Sequence, residues 1–133
     1  MPTFYDPGAD ATEASEALRG LAHATRTFES PQDLYGVLGD LLSGVRSLKQ
    51  VLDQLAAAHI KNRPRAFDEH GDHSIGSNDA LAAADELHQA ATLIDQAEER
   101  LDAAAGAASR VAWHEAPASE ASTIARWINV VFL

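Results

Sequence analysis

Between Leu34 and His59 the chain sets a seam residue at steps of 4, 3, 4, 3, 4, 3 and 4: Leu34, Leu38, Leu41, Val45, Leu48, Leu52, Leu55 and His59. No strand tolerates that spacing, because a strand alternates sides every second residue. An α-helix collects it on one face. A second seam answers it further on, at Ala83, Leu87, Ala90, Ile94, Ala97, Leu101, Ala104, Ala108 and Val111, where large and small side chains alternate. Small residues at every other step let a partner helix approach closely. A Leu-rich seam opposite an Ala-rich one predicts a long antiparallel helical hairpin as the frame of the fold.

Boundary signals divide the chain. A first helix is expected over 10–28, with Asp10 as N-cap, Glu13 completing a capping box, and Ala11, Ala14, Leu18, Leu21, Thr25 and Phe28 on one face. Ser30, Pro31 and Asp33 open a second helix expected over 31–62. Lys61 and Arg63 suit its C-terminal end, and Pro64 stops it. A connector at 63–77 carries Pro64, Gly71 and Gly76; at fifteen residues it is long for a helix–helix joint, and so reads as either functional or floppy. A third helix follows over 78–114, capped by Ser77 or Asn78 and closed by Trp113, His114 and Pro117. The apolar tail at 117–133 aligns Ile124, Trp127, Ile128 and Val131 if helical, and a short helix over 119–132 suits the surroundings better than a strand.

The expected fold class is thus all-α, an up-down helical bundle built on a long antiparallel helical hairpin, forming one domain over 1–133. At 1.5 Å per residue the first helix is roughly 27 Å long and its neighbours roughly 46 and 52 Å. The first helix therefore covers only the half of the hairpin next to the helix 1–2 turn, where the tail can also pack. A small-residue stripe behind the second helix, Gly36, Gly39, Ser43 and Ser47, fits a tightly docked neighbour such as the first helix or the tail. The half nearest the connector has two helices alone, and Val51, Leu52, Leu55, Ile60, Leu81 and Leu87 there await a cover. Those six are the candidate interaction residues. The partner expected is a second copy in a homodimer, or another helical protein.

Chemistry is sparse. The chain has no cysteine, which removes thiolate nucleophiles, disulfides and Cys-ligated zinc. Neither a phosphate-cradling glycine loop, a nucleophile elbow nor a Glu-x-x-His di-metal motif occurs. No enzymatic activity and no cofactor are expected. An alternative reading takes His59, His70 and His73, beside Asp68, Glu69 and Asp72, as ligands for a divalent metal or small ligand. The plainer reading of that cluster is a solvated acidic loop.

Charge bears on partners. Ten Lys and Arg against twenty Asp and Glu give a net charge of −10, which repels nucleic-acid phosphate over most of the surface. No nucleic-acid partner is expected, although such a surface also suits an acidic decoy of nucleic acid. The distribution is uneven. From Arg46 to Arg65 there are five bases and one acid; from Asp79 to Arg110 there are seven acids and two bases. Attraction between the second and third helices is the simplest consequence. Without a signal-peptide pattern or a run of roughly 20 apolar residues, a cytoplasmic protein away from membranes is expected.

The stretches Leu52-Asp53-Gln54-Leu55-Ala56-Ala57-Ala58-His59, Ala83 to Ala104, and Val111-Ala112-Trp113-His114 resemble a group of short uncharacterised helical proteins from actinobacteria. The resemblance covers about residues 21–114. It implies a helical fold and transfers no functional residue. The small secreted helical hairpins with a Trp-x-Gly turn are set aside, because this connector has no Trp.

Overall fold

A computed structural model describes residues 1–116 as three α-helices and one short 3₁₀ turn: α1 (Pro7–Ala24), α2 (Asp33–Lys61), the turn at Arg63–Arg65, and α3 (His73–Ala108). Among the described residues there is no strand. The short helix expected over 119–132 lies outside the described residues.

The hairpin is the core of the molecule. Helices α2 and α3 run antiparallel, as the cross-helix ion pairs show: Arg46 reaches Glu98 at 2.7 Å and Lys49 reaches Asp95 at 3.9 Å, so three residues forward on α2 match three back on α3. Their contact seams differ from the expected ones in one systematic way. On α2 the shielded positions include Leu38, Leu42, Val45, Lys49, Leu52 and Ala56, with Leu41 of the expected seam half-buried beside them; on α3 they include Ala84, Leu87, Ala91, Ile94, Glu98, Leu101 and Ala105, with Ala83 and Ala90 of the expected seam half-buried beside them. The large residues Leu38, Val45, Leu52, Leu87, Ile94 and Leu101 are where the periodicity puts them. At each alternate position the more shielded residue is the next one along: 42 over 41, 49 over 48, 56 over 55, and 84, 91, 98 and 105 over 83, 90, 97 and 104. In the connector half both helices are thereby turned so that Ala56, Ala84 and Ala91 lie in the contact. Ala56 and Ala84 are fully buried and Ala91 nearly so. Close approach shields whole backbones, whereas a Leu in the same place would hold the helices apart. Lys49 and Glu98 are tolerated in the seam because their stems lie along it while their charged ends pair at its edge. No polar side chain is buried among the described residues.

Helix α1 departs from expectation more strongly. It makes no contact with α2 or α3, and none of its residues is buried. The three-helix packing expected at the open end of the hairpin is therefore absent among the described residues. Gly36 and Gly39 correspondingly face open space, with nothing within 4 Å of an added Cβ. Helix α1 also starts earlier than expected. Asp6 is its cap, accepting from Ala9 N at 3.2 Å, and Pro7 takes the first helical position, where a missing N–H costs nothing. Asp10 instead anchors the chain that precedes the helix. Its carboxylate accepts from Thr3 N (2.7 Å), Thr3 Oγ1 (3.1 Å) and Phe4 N (3.1 Å), folding the N-terminal segment back onto α1. The backbone bond from Thr3 is the main cause holding the Asp10 carboxyl below the ordinary aspartate range.

Other boundaries shift for local reasons. Ser30 does not cap α2; its hydroxyl pairs with Gln32 Oε1 at 2.6 Å, and the helix begins two residues late, at Asp33. Helix α3 begins five residues early, because Asp72 caps it by accepting from Ile75 N at 3.0 Å. It ends at Ala108 and not at His114, where Ser109 donates its hydroxyl to Gly106 O at 2.7 Å. Trp113 and His114 thus lie beyond the helix.

The connector is short and tightly built. Asp68 Oδ1 accepts from His70 N (2.9 Å) and Asp72 N (2.7 Å), and Gly71 supplies the left-handed residue of the turn at φ +82°. Arg63 Nε donates to Ser77 O (3.3 Å) and Oγ (3.1 Å), tying the end of α2 to the first turn of α3. Gly76 is buried, and a Cβ there would run into the Phe67 backbone.

Two outcomes follow from this architecture. Gly76→Ala should lower stability by about 1–3 kcal/mol through forced displacement of the connector, whereas Gly39→Ala should raise it by up to about 1 kcal/mol through helix propensity; urea unfolding of both variants checks the pair. Because the Asp10 carboxyl is depressed in the folded chain, its stabilisation is fully present above the ordinary value of 3.8 and is lost as pH falls through the lowered folded value. Amide exchange at Thr3 and Phe4 should accelerate in that acid window, and Asp10→Asn should show the fast exchange at neutral pH.

Candidate functional site

Turning Ala56 into the hairpin has a geometric consequence on the neighbouring flank of α2. Leu34, Val37, Leu41, Leu48, Val51 and Leu55 recur at steps of 3, 4, 7, 3 and 4, and so share one face. That face sits roughly a quarter turn from the seam at Leu42, Lys49 and Ala56. Leu48 is 41% exposed, Val51 46% and Leu55 44%. These large side chains stay about two-fifths exposed to water among the described residues, while Val37 and Leu41 are half-buried.

The six expected interaction residues therefore divide. Val51 and Leu55 lie on the outward stripe. Ile60 is also 44% exposed, but five residues beyond Leu55 it stands off the stripe, at the connector end of the helix. Leu52, Leu81 and Leu87 are half-buried along the hairpin seam, where they hold α2 to α3. The alternation of 4 and 3 identifies the right residues as apolar; it does not say which of two adjacent stripes on α2 the Ala-rich helix selects. Leu34 and Leu48 belong to the stripe as well, and their membership in the same period is the signal for them.

At the open end of the hairpin the stripe runs into an apolar groove of about 310 Å³ lined by Phe28, Leu34, Tyr35, Leu38, Val111 and Trp113, among others. Phe28, expected at the end of the first helix, instead lies in the α1–α2 linker and forms part of this wall. Trp113, beyond α3, forms another part. A second, more open hollow near the connector is lined by Ala58, His59, Asn62, Arg65, Ala66 and Ala80.

The histidine cluster is dispersed. His59 Nδ1 donates to Leu55 O at 2.7 Å, and His73 Nδ1 donates to Ala66 O at 2.8 Å while its ring packs 5.0 Å from that of Phe67. His70 reaches only the neighbouring Glu69, at 3.6 Å, with both side chains in solvent. Among the described residues no three His, Asp or Glu side chains are grouped to hold a metal ion. His73 serves the connector, and Asp68 and Asp72 serve it through backbone bonds.

Charge is arranged in two regions. In the middle of the hairpin Arg46 pairs with Glu98 and Asp102, and Lys49 with Asp53 and Asp95. The hydrogen bond that Arg46 Nε donates to Glu98 Oε1 raises the guanidinium above its ordinary value. At the connector end Lys61 and Arg65 form no ion pair among the described residues, and Arg63 bonds to Ser77. The same connector carries Asp68, Glu69 and Asp72, so these bases stand among as many acids.

No helix among the described residues is long and apolar enough to cross a membrane. Comparison with family models, with curated proteins and with solved structures finds no match. Function must be read from the surface itself.

The histidine geometry has a direct check. His73→Ala should cost about 1 kcal/mol through the lost hydrogen bond and ring contact, while His70→Ala should stay within about 0.5 kcal/mol as an ordinary surface change. Thermal melts with and without zinc should superimpose for the parent chain and both variants.

Proposed function

We propose that this chain is a non-enzymatic interaction protein, a helical hairpin that works in a cytoplasmic setting by associating with a second copy of itself. The observation that carries this reading is the apolar stripe on α2, which runs from Leu34 and Leu41 past Gly44 to Leu48, Val51 and Leu55 and meets the groove at Phe28 and Trp113. Contiguous apolar surface of that length is uncommon on monomers and common where another chain covers it. A two-fold pair is the economical cover, because one stripe then answers its own copy. The net charge of −10 opposes indiscriminate clustering. Association must therefore depend on this apolar face and on local charge placement. Burial of area supplies the affinity, and no reacting group is required.

Leu55→Asp tests the reading cleanly, because Leu55 lies outside the hairpin seam. Sedimentation at tens of micromolar should give a dimer for the parent chain and a monomer for the variant, with helix content unchanged by circular dichroism. A parent chain that sediments as a monomer would remove the proposal.

A further inference from the structure

The apolar groove at the open end of the hairpin has an occupant within reach in the chain itself. Its wall is built from three segments: Phe28 in the linker, Leu34, Tyr35 and Leu41 on α2, and Val111 with Trp113 beyond α3. None of the lining residues is charged. Tyr35 is 51% exposed and Trp113 43%, so aromatic surface gathered from separate parts of the chain stands open to water. Removing such surface from water is favourable in proportion to the area covered.

The backbone delivers the rest of the chain to this place. Ser109 N donates to Ala105 O (2.9 Å), Arg110 N to Ala107 O (3.1 Å) and Val111 N to Ala108 O (3.1 Å), winding the chain off the end of α3 and into the groove wall. Ala116, three residues past Trp113, lies within about 11 Å of it. Residues 117–133 follow directly, and their composition changes part-way. Pro117 to Thr123 are small or polar, whereas Ile124 to Leu133 hold seven large apolar side chains and a single charge, on Arg126. Helical spacing puts Ile124, Trp127, Ile128 and Val131 on one face and Arg126 away from it. Seven intervening residues suffice to turn back on Trp113. So short a tether gives the apolar part an effective concentration on the order of millimolar beside the groove.

We propose that residues 124–133 occupy the groove of their own chain, with the face of Ile124, Trp127, Ile128 and Val131 laid against Leu34, Tyr35 and Trp113. Segment and wall match in kind, since the wall is uncharged and the one charge of the segment lies off its apolar face. Tethering decides between this occupant and its rivals. An outside partner has to displace a segment already held beside the groove, and the same segment of a second copy lacks the tether. Occupation closes the open end of the hairpin. Leu48, Val51 and Leu55, further along α2, remain as the face for a second copy, so that the groove and the self-association contact are separate surfaces.

The chain has two tryptophans, Trp113 and Trp127, so the full-length Trp113→Phe variant keeps an aromatic ring in the wall and leaves Trp127 as the sole reporter. Its acrylamide quenching constant is expected to be at least threefold below that of a free tryptophan derivative. Adding Leu34→Asp, which puts a charge into the wall, should raise the constant at least twofold. An acid in the first turn of α2 suits the helix dipole, and circular dichroism checks that the helices are kept. Val111→Asp, outside the helices, should act in the same way. The shielding should survive hundredfold dilution and the Leu55→Asp change, which separates this result from self-association. Trp127 quenched as freely as the free derivative would overturn the proposal. Shielding that neither Leu34→Asp nor Val111→Asp alters would place the segment elsewhere, and shielding lost on dilution would place it on a second copy; either would overturn it too. A parent chain that sediments as a monomer while Trp127 stays shielded would remove self-association alone.

Discussion

Contact between small side chains on α2 and α3 is the constraint on which the other features depend. Ala56 and Ala84 are completely shielded, and Ala91 nearly so. None of them offers much area individually. Their contribution is that two backbones can lie close enough for Leu42, Val45, Leu52, Leu87 and Ile94 to reach across and pack. Once that approach is made, the rotation of α2 is settled. A helix that presents Ala56 inward must present Leu55 elsewhere, and the outward stripe follows from the hairpin's own packing.

The connector reinforces the same choice from one end. Asp68, Gly71 and Asp72 close a turn through the two amides that Asp68 accepts, and Arg63 bridges to Ser77. Gly76 lets the Phe67 backbone sit against the first turn of α3. With no buried polar side chain in the seam, nothing inside the hairpin selects register by hydrogen bonding. The turn does so, together with the ion pairs of Arg46 and Lys49 along the edge.

Much of the hairpin is legible from spacing alone, because a 3.5-residue period survives in any helix that buries it. The large seam residues Leu38, Val45, Leu52, Leu87, Ile94 and Leu101 fall where the spacing puts them. The alternate positions do not, since α2 carries two adjacent stripes, through Leu41, Leu48 and Leu55 and through Leu42, Lys49 and Ala56, and periodicity cannot rank them. Backbone proximity ranks them, and that is a property of the pair. The caps at Asp6 and Asp72 escape the sequence for a related reason: each precedes a Pro or His that reads as loop, and competing Asp and Ser residues lie nearby. The candidate surface is half legible. Val51 and Leu55 stand out as apolar residues without a partner, whereas the fact that Leu52, Leu81 and Leu87 are consumed by the hairpin depends on its rotation. The standing-off of α1 leaves no local signal, because its capping and periodicity are those of any packed helix.

The compact turn also bears on how the chain acquires its structure in time. Residues at the connector meet across the shortest loop in the hairpin, so the closure entropy there is the smallest available. The bonds of Asp68, Arg63 and Ser77 form at that point, and each further pair, Ala56 with the Ala84 to Ala91 region and then Arg46 with Glu98, closes next to one already made. Such zipping proceeds through contacts of gradually increasing sequence separation, which is the regime of rapid helical folding. It also grades the finished molecule. By the same grading the connector end is expected to open last, and the end holding Leu38, Ala108 and the emerging linker first.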